Sequence, residues 1–385
     1  MNPPPRLRIA VLNRVFETTG GGAERYAIAL VEQLSQRHEV HVFAQQIKHD
    51  APGVTYHRVA MPLRKPRWIN QLWYAWATWR ATRSGFDIVH SHENTWHGQV
   101  QTVHVLPVRY NLFHGRTGLK RALRWAKVIT SPRLLAYLWL ERMRFVIQRG
   151  RRLVVTSASL QRTMAATYPH SIAATSVITP GVSMPAASSD VEKRDARQQL
   201  GLPAAGRCLL FVGNDYKKKG LDTLLQAMTS LPDDVVLAVV GSAAHISAYA
   251  SQAAAAGLGK RVFFLGALPD VMSAYRAADA LVHPTLEDTF AMVVLEAMAH
   301  GLPVVVSSAA YCGISGLLSP GVNALILENP RHVDRLAQTL NQLLADAVLQ
   351  QQLGAQARVF ASQHRWQDIA LQQEAVYFSV LKPPA

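Results

Sequence analysis

Two carboxylates, Asp288 and Glu296, lie eight positions apart around the predicted start of a helix. The residues between them that open this helix are Thr289, Phe290, Ala291 and Met292. The first N–H groups of a helix have no intrahelical partner, and their partial positive charge favours phosphate. We therefore expect these amides to bind a nucleoside diphosphate, in a helix that ends at Gly301. The alternative is an ordinary helix with Glu296 in solvent and Asp288 beside the N-cap.

A second group of candidate residues is a lysine loop that follows an apolar run ending at Gly213. Asn214 comes next, and three consecutive cations precede Gly220 and a helical pattern: Lys217, Lys218 and Lys219. Cationic side chains stabilise the negative charge that develops on a leaving diphosphate. The loop therefore predicts a second part of the same anion site, although a solvated basic loop would have the same composition.

Three consecutive glycines follow the first apolar run of the chain, Gly20, Gly21 and Gly22. Glycine allows a backbone to approach a ligand closely, and the helix after it begins with unpaired amides. A dinucleotide fingerprint fits poorly, because it needs Gly or Ala at position 25, where Arg25 stands. A flexible turn without a ligand is the remaining alternative.

Four histidines lie in one short segment, His90, His92, His97 and His104. His90 and His92 alternate along a predicted strand, which would also suit zinc. No cysteine accompanies them, and histidines at strand ends often belong to polar networks, so we expect no metal.

The segment from residue 62 to residue 152 carries 17 Lys or Arg against three acids, and most of the net charge of +15. Its first part contains Trp68, Trp73, Trp76 and Trp79, and a second basic, aromatic stretch runs from residue 116 to 152. Tryptophan with lysine or arginine is typical of a membrane-surface face. A nucleic-acid surface has similar composition, but no RNA or DNA module accompanies it. A third interpretation places at least two of the tryptophans in the core.

Length and composition predict a folded protein of two domains, with 385 residues, 49% hydrophobic and 17% charged. No run reaches the length of a membrane span, and the run Ile9–Leu12 is too short for a signal peptide. Cys208 and Cys312 are too few for a disulfide framework. A reducing cytoplasm is the expected location.

Apolar strand-like runs alternate with helical patterns in two series, which predicts α/β units with parallel sheets. The first series runs from RIAVLN to SVITP, and the second from CLLFVG to NALIL. A stretch rich in small and turn residues separates them, and we place the boundary near residue 185. The segment from residue 364 has the pattern of an amphipathic helix.

The segment from Asp288 to Gly301 resembles the Glu, seven residues, Glu signature of retaining GT-B glycosyltransferases of family 4, with Asp288 in place of the first glutamate. Gly21 and Gly22, with Ala23 and Glu24, are similar to the family's GG(A/S)E loop. Lys219 matches its lysine, while Asn214 stands where arginine is usual, as in a variant of the lipopolysaccharide-core glycosyltransferases. Thr102, Val103 and His104 match a Thr-(Val/Ile)-His context.

This resemblance implies a GT-B fold, α/β, with two Rossmann-like domains whose parallel sheets face a central cleft. We expect an acceptor domain over residues 1–185, a nucleotide-sugar donor domain over 186–363, and a helix over 364–385 that returns to the first domain.

The resemblance also implies roles for individual residues. Lys218, Lys219 and the amides of residues 289–292 would stabilise the departing diphosphate, and Glu296 would hold the ribose hydroxyls. Asp288 would lie near the sugar, and Glu287 would compensate for its shorter reach. His104 would position the acceptor or handle a proton. The remaining donor contacts would come from Gly21, Gly22, Gly213, Asn214, Gly266 and Ala267.

The implied reaction is sugar transfer with retention, without metal or other cofactor, from a nucleotide sugar, with UDP favoured over GDP. The expected acceptor is a lipid-linked or lipopolysaccharide-type glycan at the cytoplasmic face of an anionic membrane, with no nucleic-acid partner and a monomer favoured. The alternatives are a nucleotide-sugar 2-epimerase of the same fold and a basic membrane- or nucleic-acid-binding protein with a degenerate site.

Overall fold

The computed structural model describes residues 5–17, 21–147 and 150–381. The chain divides into two compact units. The first contains the residues up to Pro180 together with those from Trp366 onward, and the second is Gly181–Arg365. These limits differ by a few residues from the expected boundaries at 185 and 364.

The strands of the described residues are β1 (Arg8–Leu12), β2 (Val15–Glu17), β3 (Glu39–Ala44), β4 (Gln46–Lys48), β5 (Val54–Arg58), β6 (Ile88–Ser91), β7 (Val100–Val103), β8 (Arg152–Val155), β9 (Thr175–Val177), β10 (Arg207–Val212), β11 (Val235–Val240), β12 (Val262–Gly266), β13 (Ala280–His283), β14 (Val304–Ser307) and β15 (Leu325–Leu327).

The α-helices of the same residues are α1 (Gly22–Leu34), α2 (Arg67–Ala81), α3 (Val108–Phe113), α4 (Gly118–Ile129), α5 (Pro132–Phe145), α6 (Ala158–Thr167), α7 (Asp190–Gln199), α8 (Leu221–Met228), α9 (Ile246–Ala255), α10 (Met272–Ala277), α11 (Met292–Ala299), α12 (Val333–Ala345), α13 (Ala347–Ser362) and α14 (Trp366–Leu381).

The first unit contains a seven-stranded parallel sheet in the order β5-β3-β1-β6-β7-β8-β9, and β2 and β4 form a separate parallel pair. The central strands β6 and β7 are buried along their whole length, as expected for a parallel sheet covered on both faces, although each also carries polar side chains. The last helix of the chain, α14, packs on α1 within this unit. Tyr377 of α14 is fully buried there, and Glu374 forms an ion pair with Arg37.

The second unit contains a six-stranded parallel sheet in the order β12-β11-β10-β13-β14-β15. Its strands are the apolar runs of the second series, and β11 is buried along its whole length. In this strand order β10 and β13 are neighbours. The loops after these two strands therefore start side by side at the carboxyl edge of the sheet, where open α/β sheets bind ligands.

Candidate functional site

The loops after β10 and β13 pack closely through their backbones in the second unit. A Cβ atom at Gly220, whose φ is +81°, would lie 1.9 Å from the carbonyl oxygen of Pro284. One at Gly241, directly after β11, would lie 2.0 Å from the carbonyl oxygen of Gly213, so a third loop packs against the start of the lysine loop. The backbone N–H of Leu286 also donates to the carbonyl oxygen of Lys218 at 2.8 Å. Only glycine fits these positions, and the close packing fixes the lysine loop against the acidic loop.

Two lysines of the loop form ion pairs with the two consecutive acids after β13. Lys219 Nζ lies 2.5 Å from Asp288 Oδ2 and 3.2 Å from the carbonyl oxygen of Glu287. Lys218 Nζ lies 2.5 Å from Glu287 Oε1, at a more exposed place. Lys217 is exposed in solvent. The structure therefore brings together Lys218, Lys219 and Asp288, which were predicted from different parts of the sequence.

The carboxylate of Asp288 accepts hydrogen bonds from four donors. Its Oδ1 accepts from the backbone N–H groups of Phe290 at 3.2 Å and Ala291 at 2.9 Å. Its Oδ2 accepts from Lys219 and lies 3.3 Å from Nε2 of the buried His283. Burial alone raises the pKa of the Asp288 carboxyl, but the hydrogen bond from His283 and the charge of Lys219 outweigh it and hold this pKa well below its usual range.

The prediction that Thr289, Phe290, Ala291 and Met292 offer unpaired amides of a first helical turn is wrong in two respects. The helix α11 begins only at Met292, so the other three residues precede it. The amides of Phe290 and Ala291 already donate to Asp288, which is thus placed beside the N-cap, as the alternative had it. Ala291, the N-cap, has φ +71°, a left-handed conformation that favours glycine.

His283 is a functional candidate that sequence reasoning missed. It is the last residue of β13, and burial lowers its pKa, which Asp288 offsets only in part. A neutral His283 can donate to Asp288 only from Nε2, which assigns its tautomer. The available signal was a histidine at the carboxyl end of an apolar strand, five residues before the predicted acid.

Glu296 lies on α11 and is buried, so the alternative that places it in solvent is wrong. Its Oε2 accepts a hydrogen bond of 2.7 Å from the hydroxyl of Tyr275, a fully buried residue of α10. The helix ends before Gly301, whose φ is +75°, as predicted. Tyr275 was also missed, because nothing in its local sequence distinguishes it from a core tyrosine.

The other predicted donor residues of the second unit lie at the ends of strands. Gly213 follows β10, and its N–H donates to the carbonyl oxygen of Val240 at 2.9 Å, while Asn214 beside it is exposed. Gly266 ends β12 with φ +70° and accepts from the N–H of Gly241, and Ala267 follows it in an exposed bend. Thr289 is partly buried between Asp288 and Phe290.

The glycine loop of the first unit is described only in part, because Gly20 lies outside the described residues. Gly21 is the N-cap of α1 with an extended backbone, and Gly22 is the first helical residue. The loop therefore opens a helix as predicted.

His104 directly follows β7 and belongs to a cluster of aromatic side chains in the first unit. Its Nε2 lies 2.9 Å from Nδ1 of His92, and Tyr26 contacts both rings. His90 bonds through its two nitrogens to Tyr377 of α14 and to Thr102 of β7, at 2.7 Å each. Burial above all lowers the pKa of His90 and of His104 to about 3.

These pKa values mean that the histidines of the cluster are neutral near neutral pH. In the part of the chain that the structure describes, no group of three or more His, Cys, Asp or Glu side chains could hold a metal ion.

The basic, aromatic segment forms α2, α4 and α5 of the first unit. Three of the four tryptophans, Trp73, Trp76 and Trp79, are exposed on α2. The buried face of this helix consists of Asn70, Gln71, Tyr74, Ala75 and Thr78. The interpretation that at least two of the tryptophans belong to the core is therefore wrong, since Trp68 is also only partly buried.

Helix α4 exposes apolar side chains to an unusual degree. Leu119 is 75%, Leu123 62% and Ile129 67% exposed, and Val128 alone is buried on this helix. At 100° per residue these three lie on one broad face with Trp125. Basic side chains occupy the rest of the helix, Lys120, Arg121, Arg124 and Lys127. No helix among the described residues is long and apolar enough to cross a membrane.

Two family models match this chain, one in each unit. Residues 20–184 match Glycosyltransferase Family 4, and residues 192–360 match Glycosyl transferases group 1. Among curated proteins, the chain is 33% identical over 220 residues to a D-inositol 3-phosphate glycosyltransferase of Xylanimonas cellulosilytica, covering 54% of this chain and 51% of that protein. It is 30% identical over 169 residues to the lipopolysaccharide glucosyltransferase WaaG of Escherichia coli, covering 43% of this chain and 44% of that protein. The chain thus spans about half the length of the curated relatives it matches.

Solved structures show the same fold over nearly the whole chain. The crystal structure of WaaG, described as a glycosyltransferase involved in lipopolysaccharide biosynthesis, has a TM-score of 0.80 at 21% identity and covers 96% of this chain and 99% of its own. Anabaena HepE in complex with UDP-glucose has a TM-score of 0.76 at 19% identity and covers 97% and 100%. A Glycosyltransferase Family 4 match in the first unit, a Glycosyl transferases group 1 match in the second, and the shared two-domain fold identify the chain as a GT-B glycosyltransferase.

Proposed function

We propose that this protein transfers a sugar, with retention and without a metal ion, from a nucleotide sugar to a lipid-linked or lipopolysaccharide-type glycan. The observation that carries the proposal is the pair Lys218 and Lys219, held beside Asp288 at the carboxyl edge of β10 and β13. Two fixed ammonium groups suit a departing diphosphate, because preorganised charge needs no rearrangement as the negative charge develops. They would supply the charge that magnesium supplies in other enzymes.

In this proposal the diphosphate of the donor binds to lysines that already form ion pairs with carboxylates. Lys218 and Lys219 each hold a carboxylate, so a diphosphate would compete with Glu287 for Lys218 and share Lys219 with Asp288. Lys218 is the more exposed of the two and would exchange more easily. Glu296 would hold the ribose from its buried place on α11.

We propose UDP rather than GDP as the nucleotide carrier, on the strength of the fold shared with Anabaena HepE, which was solved with UDP-glucose. His104 would act as a neutral hydrogen-bonding group that orients the acceptor, because its lowered pKa leaves it uncharged. No further cofactor belongs to this proposal, and the protein would work as a monomer in the cytoplasm.

The acceptor side of the proposal rests on the exposed faces of α2 and α4. An apolar face flanked by four cations matches the anionic, partly apolar surface of a lipid leaflet, and each cation near such a surface contributes about 1 kcal/mol. We propose that α4 lies in the membrane interface, which would bring the enzyme to a lipid-anchored acceptor. Nucleic acid is a poorer fit, because it offers no apolar phase for Leu119, Leu123 and Ile129.

The donor proposal is tested by thermal shift with a panel of nucleotide sugars, followed by product analysis with the best donor. We expect UDP and a UDP-sugar to raise Tm, and the product to keep the anomeric configuration of the donor, with EDTA present throughout. Absence of a shift with UDP, GDP and ADP alike would contradict catalysis. Formation of an epimerised sugar from donor alone would favour the 2-epimerase.

The membrane proposal is tested by flotation with phosphatidylglycerol vesicles at low and high salt. The variant Leu119→Ser/Leu123→Ser/Ile129→Ser should lose most vesicle binding, and salt should weaken binding of the wild type. The matched control is Val348→Ser/Val359→Ser, which replaces exposed valines of α13. Equal binding of the two variants would contradict a role for α4.

A further inference from the structure

The family signature places the sugar-facing carboxylate at position 288, yet the surroundings of Asp288 leave it little capacity for a ligand. An ionised carboxylate has about four lone-pair sites. Asp288 has four donors around it, two backbone amides on Oδ1 and Lys219 with His283 on Oδ2. A sugar hydroxyl could bond to it only by displacing one of these donors.

The donors of Asp288 also hold the loop that precedes α11. The amides of Phe290 and Ala291 turn back onto its carboxylate, and Lys219 links it to the loop after β10. The side chain of Asp288 is only 16% exposed. This arrangement is that of a group which shapes a binding loop.

The neighbouring carboxylate of Glu287 has the opposite character. Its side chain is 37% exposed, and its one ion pair in the described structure joins Oε1 to Lys218, whose side chain is 48% exposed. The carboxylate of Glu287 therefore has more capacity for a further hydrogen bond than that of Asp288. Lys218 is one of the two lysines proposed to hold the diphosphate. A sugar attached to that diphosphate would therefore come close to Glu287, which is paired with Lys218.

We propose that Glu287, rather than Asp288, is the carboxylate that accepts hydrogen bonds from the hydroxyls of the donor sugar and determines which sugar is bound. This assignment rests on the proposed function. When the diphosphate binds, Lys218 transfers from Glu287 to phosphate, and the whole carboxylate of Glu287 becomes available to the sugar. Lys219 has three N–H donors, so it can bond to phosphate while it still donates to Asp288, which keeps its four donors and maintains the loop.

The experiment measures Kd for a nucleotide and for its sugar conjugate, using UDP with UDP-glucose and GDP with GDP-mannose. Titration calorimetry on the full chain gives the ratio of the two Kd values, which isolates the contribution of the sugar. Three variants are compared with wild type: Glu287→Gln, Asp288→Asn and, as a matched control on the exposed surface of α7, Asp195→Asn.

We expect Glu287→Gln to weaken binding of the sugar conjugate by about tenfold while UDP binds as well as before or better, because a hydrogen bond to a charged group is lost and Lys218 gains freedom. Asp288→Asn should lower Tm and weaken nucleotide and conjugate by the same factor. Asp195→Asn should match wild type.

Two results would overturn the assignment while leaving the proposed function intact. The first is a ratio of nucleotide Kd to conjugate Kd in Glu287→Gln that equals the wild-type ratio, where the wild-type ratio shows that the sugar adds affinity. The second is a selective loss of the sugar contribution in Asp288→Asn. A wild-type protein that binds none of the four compounds would overturn both. Because the side chain of Glu287 is partly exposed and the change to Gln keeps its size, this variant is expected to fold, and its Tm is measured alongside.

Discussion

The two units carry ionisable side chains at the carboxyl ends of similar parallel sheets, but they stabilise these groups differently. In the second unit, charged groups near β10 and β13 are paired, Lys219 with Asp288 and Lys218 with Glu287. In the first unit, the histidines at the ends of β6 and β7 are neutral, because burial above all lowers their pKa. The comparison teaches that the same sheet edge can carry ammonium–carboxylate pairs in one unit and neutral imidazoles near a buried arginine, Arg144, in the other.

The comparison suggests a division of chemical work. Paired ammonium groups can be transferred to an incoming diphosphate, which suits the donor. Neutral imidazoles can orient hydroxyl groups without attracting anions, which suits a glycan acceptor. Four changes in residue or pH would break or sharpen this comparison.

The largest effect is expected from Lys219→Ala, which removes the cation and leaves Asp288 without its charge partner. Transfer activity should fall about 100-fold, and the free energy of unfolding by about 2 kcal/mol, less than for a fully buried pair because both side chains are partly exposed. Initial rates and urea unfolding measure the two effects. The control is Lys217→Ala, an exposed lysine of the same loop, and equal rates in the two variants would contradict the assigned role of Lys219.

The next effect is the pH dependence of Asp288→Asn. The folded-state pKa of Asp288 is held below its unfolded value, so its contribution to stability is present above about pH 4 and is lost as pH falls below that. The stability difference between wild type and variant should be about 2 kcal/mol at pH 7, stay constant to about pH 5, and shrink in more acidic buffer. Urea unfolding across this range measures it. A difference that grows on acidification would contradict the ion pair.

A smaller effect is expected in the first unit between neutral and mildly acidic pH. The folded-state pKa of His90 and of His104 is about 3, below the unfolded value, so their neutral state contributes stability above about pH 6.5 that is lost as pH falls. Hydrogen exchange, corrected for intrinsic rates, should show about tenfold less protection in β6 and β7 at pH 5 than at pH 7. Strands β13 and β14 should change less, because Asp288 offsets part of the effect on His283. Equal loss in both units would contradict the comparison.

The smallest effect is expected from Ala291→Gly. Ala291 has φ +71°, where a Cβ atom costs about 1 kcal/mol or more, while glycine makes the unfolded chain more flexible. The net result should be a gain of about 0.5 kcal/mol in the free energy of unfolding. Ala297→Gly in the helical part of α11 is the matched control and should lose about 1 kcal/mol. A loss of similar size in both would show that Ala291 is unstrained.

Much of the architecture could be predicted because strands buried in a parallel sheet consist mostly of consecutive apolar residues. Strands β10 to β15 all fall on such runs, and α11 ends where Gly301 permits a left-handed cap. The lysine loop and the loop of Asp288 could also be placed, since each follows an apolar run, whereas the pairing of β10 with β13 is known only from the structure.

The partners of the site residues could not be predicted, because they depend on contacts between distant segments. The hydrogen bonds of Asp288 involve His283 and Lys219, which lie 5 and 69 residues away. The start of α11 was placed too early for a local reason, since Asp288 turns the amides of Phe290 and Ala291 toward itself. The exposed tryptophans of α2 also contradict the usual burial of aromatic side chains, because the buried face of that helix is largely polar.

The position of α14 in the chain has a consequence for the order in which the two units fold during synthesis. This helix belongs to the first unit, although it follows the whole second unit in the chain, and its Tyr377 bonds to His90. During synthesis the second unit, which is continuous, is exposed in full before the first unit receives its last helix. We expect the second unit to fold first on the ribosome, and the histidine cluster to reach its final form only when α14 has emerged.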